Sequence, residues 1–451
     1  MKIHFIAIGG SVMHNLAIAL HKKGYRITGS DDKFFDPSKS RLEKYGLLPE
    51  KEGWHPAKIN NKTEAVVLGM HAREDNPELM KARQTGIKIY SFPEYLYEQT
   101  KNKTRVVIGG SHGKTTVTSM IMHVLKKSNY NFDYMVGSQV EGFETMVGLS
   151  SESDIAIFEG DEYLSSALDQ RPKFHLYKPH IAVITGIAWD HINVFPTFEK
   201  YIKQFEIFTL CIEEKGTLIY YEPDKLVNNI AKKAPNNITR IPYREHPFSR
   251  ENNQTYLLNN KLQIPVNLIG KHNMENIEAA RKVCNKLNIS DEKFYQTIQT
   301  FKGAQKRMDL IKEKNNRRVF FDFAHAPSKL KATVEAVQSQ YPSQELVACI
   351  ELHTFSSLNK SFLPEYKDTM KKADQAIVYF NPETIKHKKL EMIEKSDIQK
   401  SFRSGNIKVF NSTEELEKFL LSFKNTDSNF LFMSSGNFNG LNIRNLSEKL
   451  I

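Results

Sequence analysis

One stretch constrains this chain more than any other: Arg105-Val106-Val107-Ile108-Gly109-Gly110-Ser111-His112-Gly113-Lys114-Thr115-Thr116. A β-branched run enters a glycine-rich turn, Lys-Thr-Thr follows, and a helical stretch extends from Val117 to Lys127. Strand, glycine loop and helix in this order form a cradle for phosphate. Glycine lets backbone N–H groups turn inward, and the helix N-terminus adds the positive end of its dipole. A lysine here reaches the outer phosphates, and the hydroxyl after it can hold Mg²⁺. The spacing is unusual, because Ile108 stands where the common phosphate loop has its first glycine and the glycines fall at 109 and 110. The plain alternative is an ordinary glycine turn before a helix. The flanking strand and helix favour the ATP reading.

At 451 residues the chain has room for about three domains. Its 40% hydrophobic and 25% charged content is that of a soluble globular protein. No apolar run reaches the roughly 18 residues of a membrane span, so no membrane insertion is expected. The N-terminus superficially mimics a secretory signal, but Gly9-Gly10 and His14-Asn15 break its apolar stretch. Three scattered cysteines, Cys211, Cys284 and Cys349, lack metal spacing and fit a reducing, cytoplasmic setting. The net charge of +11 is spread along the chain with no basic block interleaved with aromatics. It reads as solvated surface with a bias towards anionic ligands, not as a nucleic-acid interface.

The pattern is α/β in three segments: 1–103, 104–302 and 303–451. In the first, strand 3–8, helix 12–23 and strand 25–29 form a βαβ unit, with a further strand at Ala65–Leu68. The second has strands at 105–108, 154–158 and 181–185. It also has a hairpin over 254–266 turning at Asn259-Asn260, and helices 271–287 and 291–301. The third alternates strands 318–323, 346–350, 376–380, 407–410 and 429–434 with helices, which predicts a parallel sheet preceded by a Lys-rich loop at 312–318.

Several strand ends carry polar clusters. Ala7-Ile8-Gly9-Gly10 followed by Ser30-Asp31 resembles a dinucleotide fingerprint without its third glycine. Read alone, it fits a plain turn as well as a ligand, and it leaves an NAD-dependent oxidoreductase open. Asp154 to Phe158 delivers Glu159, Asp161 and Glu162 to the end of a strand, where a carboxylate can hold a nucleotide's Mg²⁺. Ile181 to Thr185 leads similarly to Trp189-Asp190-His191. Lys271-His272-Asn273-Met274-Glu275-Asn276 opens a helix, and Asp322 with His325 ends a strand before helix 328–339. Each of these also fits a capped turn.

In this order the motifs resemble the Mur ligase family, which uses ATP to form amide bonds on UDP-N-acetylmuramate. The likeness spans nearly the whole chain, and the Gly109-Gly110-Ser111-His112-Gly113-Lys114-Thr115-Thr116 loop is close to the family's own version. The resemblance implies three domains: a Rossmann-like UDP-sugar-binding domain, a P-loop ATPase-like central domain, and a Rossmann-like C-terminal domain that closes over ATP and the acceptor. It assigns Gly9, Gly10, Ser11, Met13, Ser30 and Asp31 to the UDP-sugar. It assigns Gly110, Ser111, His112, Gly113, Lys114, Thr115, Thr116, His272, Asn273, Asn276, Arg307, Asp322 and His325 to ATP. Lys114, Glu159 and His191 are the implied catalytic set, with Thr115, Glu159 and His191 holding Mg²⁺.

Three details match the members that attach the tripeptide L-alanyl-γ-D-glutamyl-meso-diaminopimelate better than those that attach L-alanine. They are Tyr163 after Asp161-Glu162, Phe195-Pro196 after Asp190-His191, and Phe301-Lys302-Gly303 before Lys306-Arg307-Met308. The tripeptide is therefore the expected acceptor, with L-alanine the alternative, and Glu351 to Lys360 the expected peptide-facing loop. An oxidoreductase and a nucleic-acid-dependent NTPase are the remaining competitors. The chain departs from the family at Gly186 and Ala188, where Asn and Glu are usual, and at Phe321 and Ala326. The segment Glu351-Leu352-His353-Thr354-Phe355 lacks the family's arginine.

Overall fold

A computed structural model describes residues 1–70, 72–260, 262–403 and 407–451. The chain is α/β throughout, and among the described residues its strands form four sheets. Contact density groups them into two units. The first comprises Met1–Ile187, Glu199–Arg244 and Ala279–Thr297; the second comprises Ala188–Phe198, Glu245–Glu278 and Ile298–Ile451.

The first unit holds two sheets. One has four parallel strands in the order Arg26–Ser30, Lys2–Ile6, Ala65–Leu68, Lys88–Ser91. The other has seven, in the order Thr239–Tyr243, Thr217–Tyr221, Ile181–Ile184, Thr104–Gly109, Ile155–Glu159, Asp133–Met135, Val147–Gly148. All pairs of this second sheet are parallel except the last. Its strand Ile181–Ile184 is buried at every position, as expected where a parallel sheet is covered on both faces. The strand predicted over 3–8 stops at Ile6, because Ala7 turns to φ 64° and leaves the β region. The helix after the glycine loop begins at Lys114 rather than Val117. Helix Phe92–Thr100 starts on a reciprocal Ser91–Glu94 capping box with proline in its first turn.

The second unit holds an antiparallel meander, Phe248–Glu251, Gln254–Asn259 and Leu262–Val266. The hairpin over 254–266 forms, but Asn259, expected in its turn, is paired opposite Leu262; Lys261 lies outside the described residues. A six-stranded sheet runs Asp309–Lys314, Arg317–Asp322, Ser428–Met433, Glu345–Leu352, Gln375–Phe380, Lys408–Phe410. It is parallel except for its first pair. That pair replaces the loop expected at 312–318. Asn315 and Asn316 both take positive φ, the geometry of a tight hairpin turn, and the strand over Asp309–Lys314 is a polar sheet edge whose lysines and glutamate mask it. Residues 188–198, expected in the central segment, group with the last sheet. Trp189 and Ile192 pack against the core formed by Leu330, Phe362, Tyr366 and Met433, so burial decides where they belong.

Candidate active site

Strand Thr104–Gly109 is buried from Arg105 onward, with Ile108 still paired opposite Glu159. This explains the glycine spacing: the turn opens one residue later than in the common loop. Gly110 lies at φ 134°, and a Cβ there would stand 2.1 Å from the Thr185 hydroxyl. Gly113 takes φ 78° and directly precedes the helix Lys114–Lys127, leaving its first N–H groups at a turn with no side-chain cap. The Thr185 hydroxyl donates to the His112 carbonyl, and the Ser111 N–H donates to the Gly186 carbonyl at 2.9 Å.

Lys114 Nζ donates to the Gly110 carbonyl and to Glu162 Oε2, both at 2.6 Å. Burial alone would lower its pKa, but the carboxylates of Glu162, Asp161 and Glu159 outweigh that and raise it. The head therefore stays cationic between the Gly110 carbonyl and Glu162. Thr115 Oγ1 donates to Glu159 Oε1 at 2.9 Å, and the Gly137 N–H donates to Glu159 Oε2 at 2.6 Å. A Cβ at 137 would lie 2.8 Å from Glu159 Oε1, so a larger residue there would have to move that carboxylate. Thr116 is buried beside Thr115 in the first turn. The hydroxyl and carboxylate oxygens of Thr115 and Glu159 form a hard donor pair suited to Mg²⁺. Among the described residues no cluster of three His, Cys, Asp or Glu stands ready for a metal.

The second nucleotide-type turn, in the same unit, is held by its own acid. Gly9 N–H donates to Asp31 Oδ2 at 2.7 Å, and a Cβ at Gly9 would approach that oxygen to 2.9 Å. Burial, with Asp32 alongside, pushes the Asp31 pKa up to about 6. Ser30 is fully buried, Met13 lines the turn beneath Gly10, and Ser11 opens helix Ser11–Lys22. Beside this turn, Asn15 Oδ1 accepts from Met146 N–H at 3.0 Å, and Arg41 donates to Gln139 at 2.9 Å.

The remaining predicted residues lie in the second unit. His191 takes φ 54° with its N–H donating to Asp190 Oδ1 at 2.8 Å. Asp190 Oδ2 stands 3.6 Å from Lys329 Nζ and 3.9 Å from His325 Nε2. Although buried, Asp190 is held well below the usual carboxylate range by Lys329, His191 and His325. Burial drives the His325 pKa down to about 3 and that of His272 to about 4, so both imidazoles are neutral near pH 7. Asn273 donates to the Ile269 carbonyl at 2.8 Å, and Asn276 donates to Asn273 Oδ1 at 3.4 Å. Asp322 accepts from Met308 N–H and Ala324 N–H, both at 2.7 Å, and the Arg307 guanidinium lies 4.6 Å from the Phe323 ring centre. Glu159 and His191, expected as one metal pair, thus belong to different units.

In the loop expected to face a peptide, several polar groups have partners elsewhere in the second unit. Glu351 and Leu352 are strand residues, and Glu351 accepts from Ser434 and from Phe438 N–H. Ser357 is closed onto Thr354, and Lys360 lies 3.2 Å from Asp397 and 3.7 Å from Glu391. The Gly186 departure has a steric cause: with φ at 151°, a Cβ would stand 2.5 Å from the His112 ring. Sequence reasoning missed Gly137 and Tyr201. The latter donates to Glu162 and bonds the Ser111 hydroxyl, yet its spacing with Phe205 and Phe208 reads only as a core stripe.

Three family models match the chain in order. The Mur ligase family catalytic domain covers residues 2–104, the Mur ligase middle domain 108–284 and the Mur ligase glutamate ligase domain 306–436. The UDP-N-acetylmuramate–L-alanine ligase of Caldicellulosiruptor bescii is 30% identical over 395 residues, covering 84% of this chain and 83% of its own. That of Clostridium botulinum strain Hall is 32% identical over 373 residues, 78% and 77% of the two chains. Among solved structures, the UDP-N-acetylmuramate–alanine ligase of Thermotoga maritima aligns with TM-score 0.72 at 20% identity over 100% of this chain and 99% of its own. The murein peptide ligase of Psychrobacter arcticus 273-4 aligns with TM-score 0.67 at 22% identity, over 100% and 98%.

Proposed function

The chain belongs to the Mur ligase family, whose members are ATP-dependent ligases that form carbon–nitrogen bonds, and from that premise we propose that it joins an amine to the lactyl carboxylate of UDP-N-acetylmuramate. The observation that carries this reading is the phosphate cradle, in which Lys114 hangs between the Gly110 carbonyl and Glu162. On this reading residues 1–103 bind the UDP-sugar through the Gly9–Asp31 turn, 104–302 bind ATP, and 303–451 carry the acceptor-side ligase domain. Among the described residues no helix is long and apolar enough to cross a membrane. A cytoplasmic setting, where ATP is supplied, completes the reading.

L-alanine is the acceptor with the better support. Relatives at 30% and 32% identity are L-alanine ligases. The tripeptide reading keeps the support of Tyr163, Phe195-Pro196 and Phe301-Lys302-Gly303.

The proposed chemistry is stepwise. The lactyl carboxylate attacks the γ-phosphate of ATP to give an acyl phosphate and ADP. The amine then adds to the acyl carbon, and the tetrahedral intermediate expels phosphate. Lys114 neutralises charge on the transferring group, and the N–H groups after Gly113 hold it in line. Thr115 and Glu159 are the residues that would hold Mg²⁺, which would supply charge neutralisation when bound. Asn273 and Asn276, with His272, bind on the adenine side; Arg307, Asp322 and His325 position the nucleotide from the last domain.

The test is phosphate release with UDP-N-acetylmuramate, comparing L-alanine with the tripeptide. The expected result is a kcat/KM for L-alanine at least ~10-fold above that for the tripeptide. The reverse order would replace L-alanine by the tripeptide. No release with either amine would overturn the ligase reading.

A further inference from the structure

Behind the phosphate cradle lies a chain of three buried polar side chains: Ser111, Tyr201 and Glu162, at 2%, 0% and 1% exposure. Ser111 Oγ and Tyr201 Oη are 2.8 Å apart, Tyr201 Oη donates to Glu162 Oε1 at 2.9 Å, and Glu162 Oε2 takes Lys114 Nζ at 2.6 Å. The proton order follows from chemistry. A carboxylate only accepts, so the phenol proton points to Glu162 and the phenol oxygen accepts from the Ser111 hydroxyl. The Ser111 N–H is likewise directed away from the cradle, to the Gly186 carbonyl. Ser111, although it sits in the phosphate loop, is thus built as an anchor and not as a phosphate ligand.

We propose that Tyr201 is the positioning residue of the phosphate-loop lysine: through Glu162 on one side and Ser111 on the other, it fixes the point from which Lys114 is handed to the transferring phosphate. The proposal rests on the reading that ATP occupies this cradle. As phosphate draws the Lys114 ammonium away, Glu162 loses a charge-assisted hydrogen bond in a buried place, which is costly. The Tyr201 hydroxyl remains on Glu162 and lowers that cost. Without it Glu162 holds Lys114 more tightly, and the lysine is less available where charge develops. Helix Phe198–Leu210 is a rigid mount for this task, since Tyr201 packs edge-on against Phe205 at 5.3 Å between ring centres.

The experiment is steady-state ligation by Tyr201→Phe, which keeps the ring and deletes only the hydroxyl. The expected result is a kcat lowered ~10-fold with KM for ATP within ~3-fold of wild type, the signature of an interaction used in the transition state. Adding Ser111→Ala to Tyr201→Phe should cost less than ~2-fold more, because both act through one chain of bonds. A kcat within ~2-fold of wild type, or a loss confined to KM for ATP, overturns the inference. If Tyr201→Phe does not fold, Ser111→Ala alone carries the test: a ~3-fold fall in kcat supports the inference, and an unchanged kcat overturns it. A wild-type protein that releases no phosphate from ATP with any acceptor overturns the functional reading instead, and the inference falls with it.

Discussion

At the scale of single residues, the cradle owes its geometry to groups with no room for substitution. Lys114 meets Glu162 and the Gly110 carbonyl at 2.6 Å. Lys114→Ala should lower kcat by about 10² or more, and because it takes the ion-pair partner from buried Glu162 the thermal midpoint should fall as well; near wild-type ligation would remove the lysine from the mechanism. Glu159→Ala strips Thr115 and the Gly137 N–H of their shared acceptor, and the expected result is a raised Mg²⁺ concentration for half-maximal rate, read by titration. Gly186 is constrained differently. Its φ is 151°, and a methyl group added there would meet the His112 ring at 2.5 Å, so Gly186→Ala must displace that ring or the loop that carries it. A loss of about 1–3 kcal/mol in stability with at least ~10-fold lower kcat/KM for ATP is expected, measured by denaturant unfolding and kinetics.

At the scale of elements, the strand entering the cradle is anchored by an arginine. Arg105, 1% exposed, donates to the carbonyls of Tyr177, Lys178, Thr100, Lys101 and Lys103 at 2.8–3.1 Å and to Glu213 at 2.9 Å. It ties the end of helix Phe92–Thr100 to the strand Thr104–Gly109 and to the loop after Tyr177. Arg105→Met would leave several buried carbonyls without donors, a cost of about 3 kcal/mol or more. The check is denaturant unfolding, and an unchanged midpoint would show that water replaces the guanidinium. Periodicity located the strands Thr104–Gly109 and Ile181–Ile184 to within a residue or so because buried strands are continuous apolar runs, but it gave no sign of the helix Phe92–Thr100. It failed at Asp309–Lys314, where an edge strand rich in Lys and Glu looks like a loop, and at Ala7, where the backbone turns left-handed and the Gly10 N–H donates to the Ala7 carbonyl.

At the scale of the whole molecule, buried imidazoles set an acid limit. Burial lowers the His325 pKa from 6.5 to about 3, with Lys329 adding to the effect and Asp190 opposing it, and burial lowers that of His272 to about 4. Both folded-state values are depressed, so the stability they contribute is present above pH 6.5 and is lost as pH falls towards 4 and 3, while the unfolded chain takes up the protons. The thermal midpoint should therefore drop between about pH 6.5 and 4.5, and His325→Asn should flatten that slope; equal slopes would mean that the imidazole is hydrated. The amino-acid sequence by itself determined the α/β class, the order of the three segments and the glycine loop with Lys114 and Thr115, because those depend on local periodicity and on conformations only glycine adopts easily. It also placed Glu159 and Asp322 at strand ends. Tertiary structure alone decided that residues 188–198 pack on the last sheet, that Gly137 brings an N–H to Glu159, and that Tyr201 joins Ser111 to Glu162. Those are contacts between residues 22 positions or more apart, and no local pattern encodes which distant side chain will be folded against which.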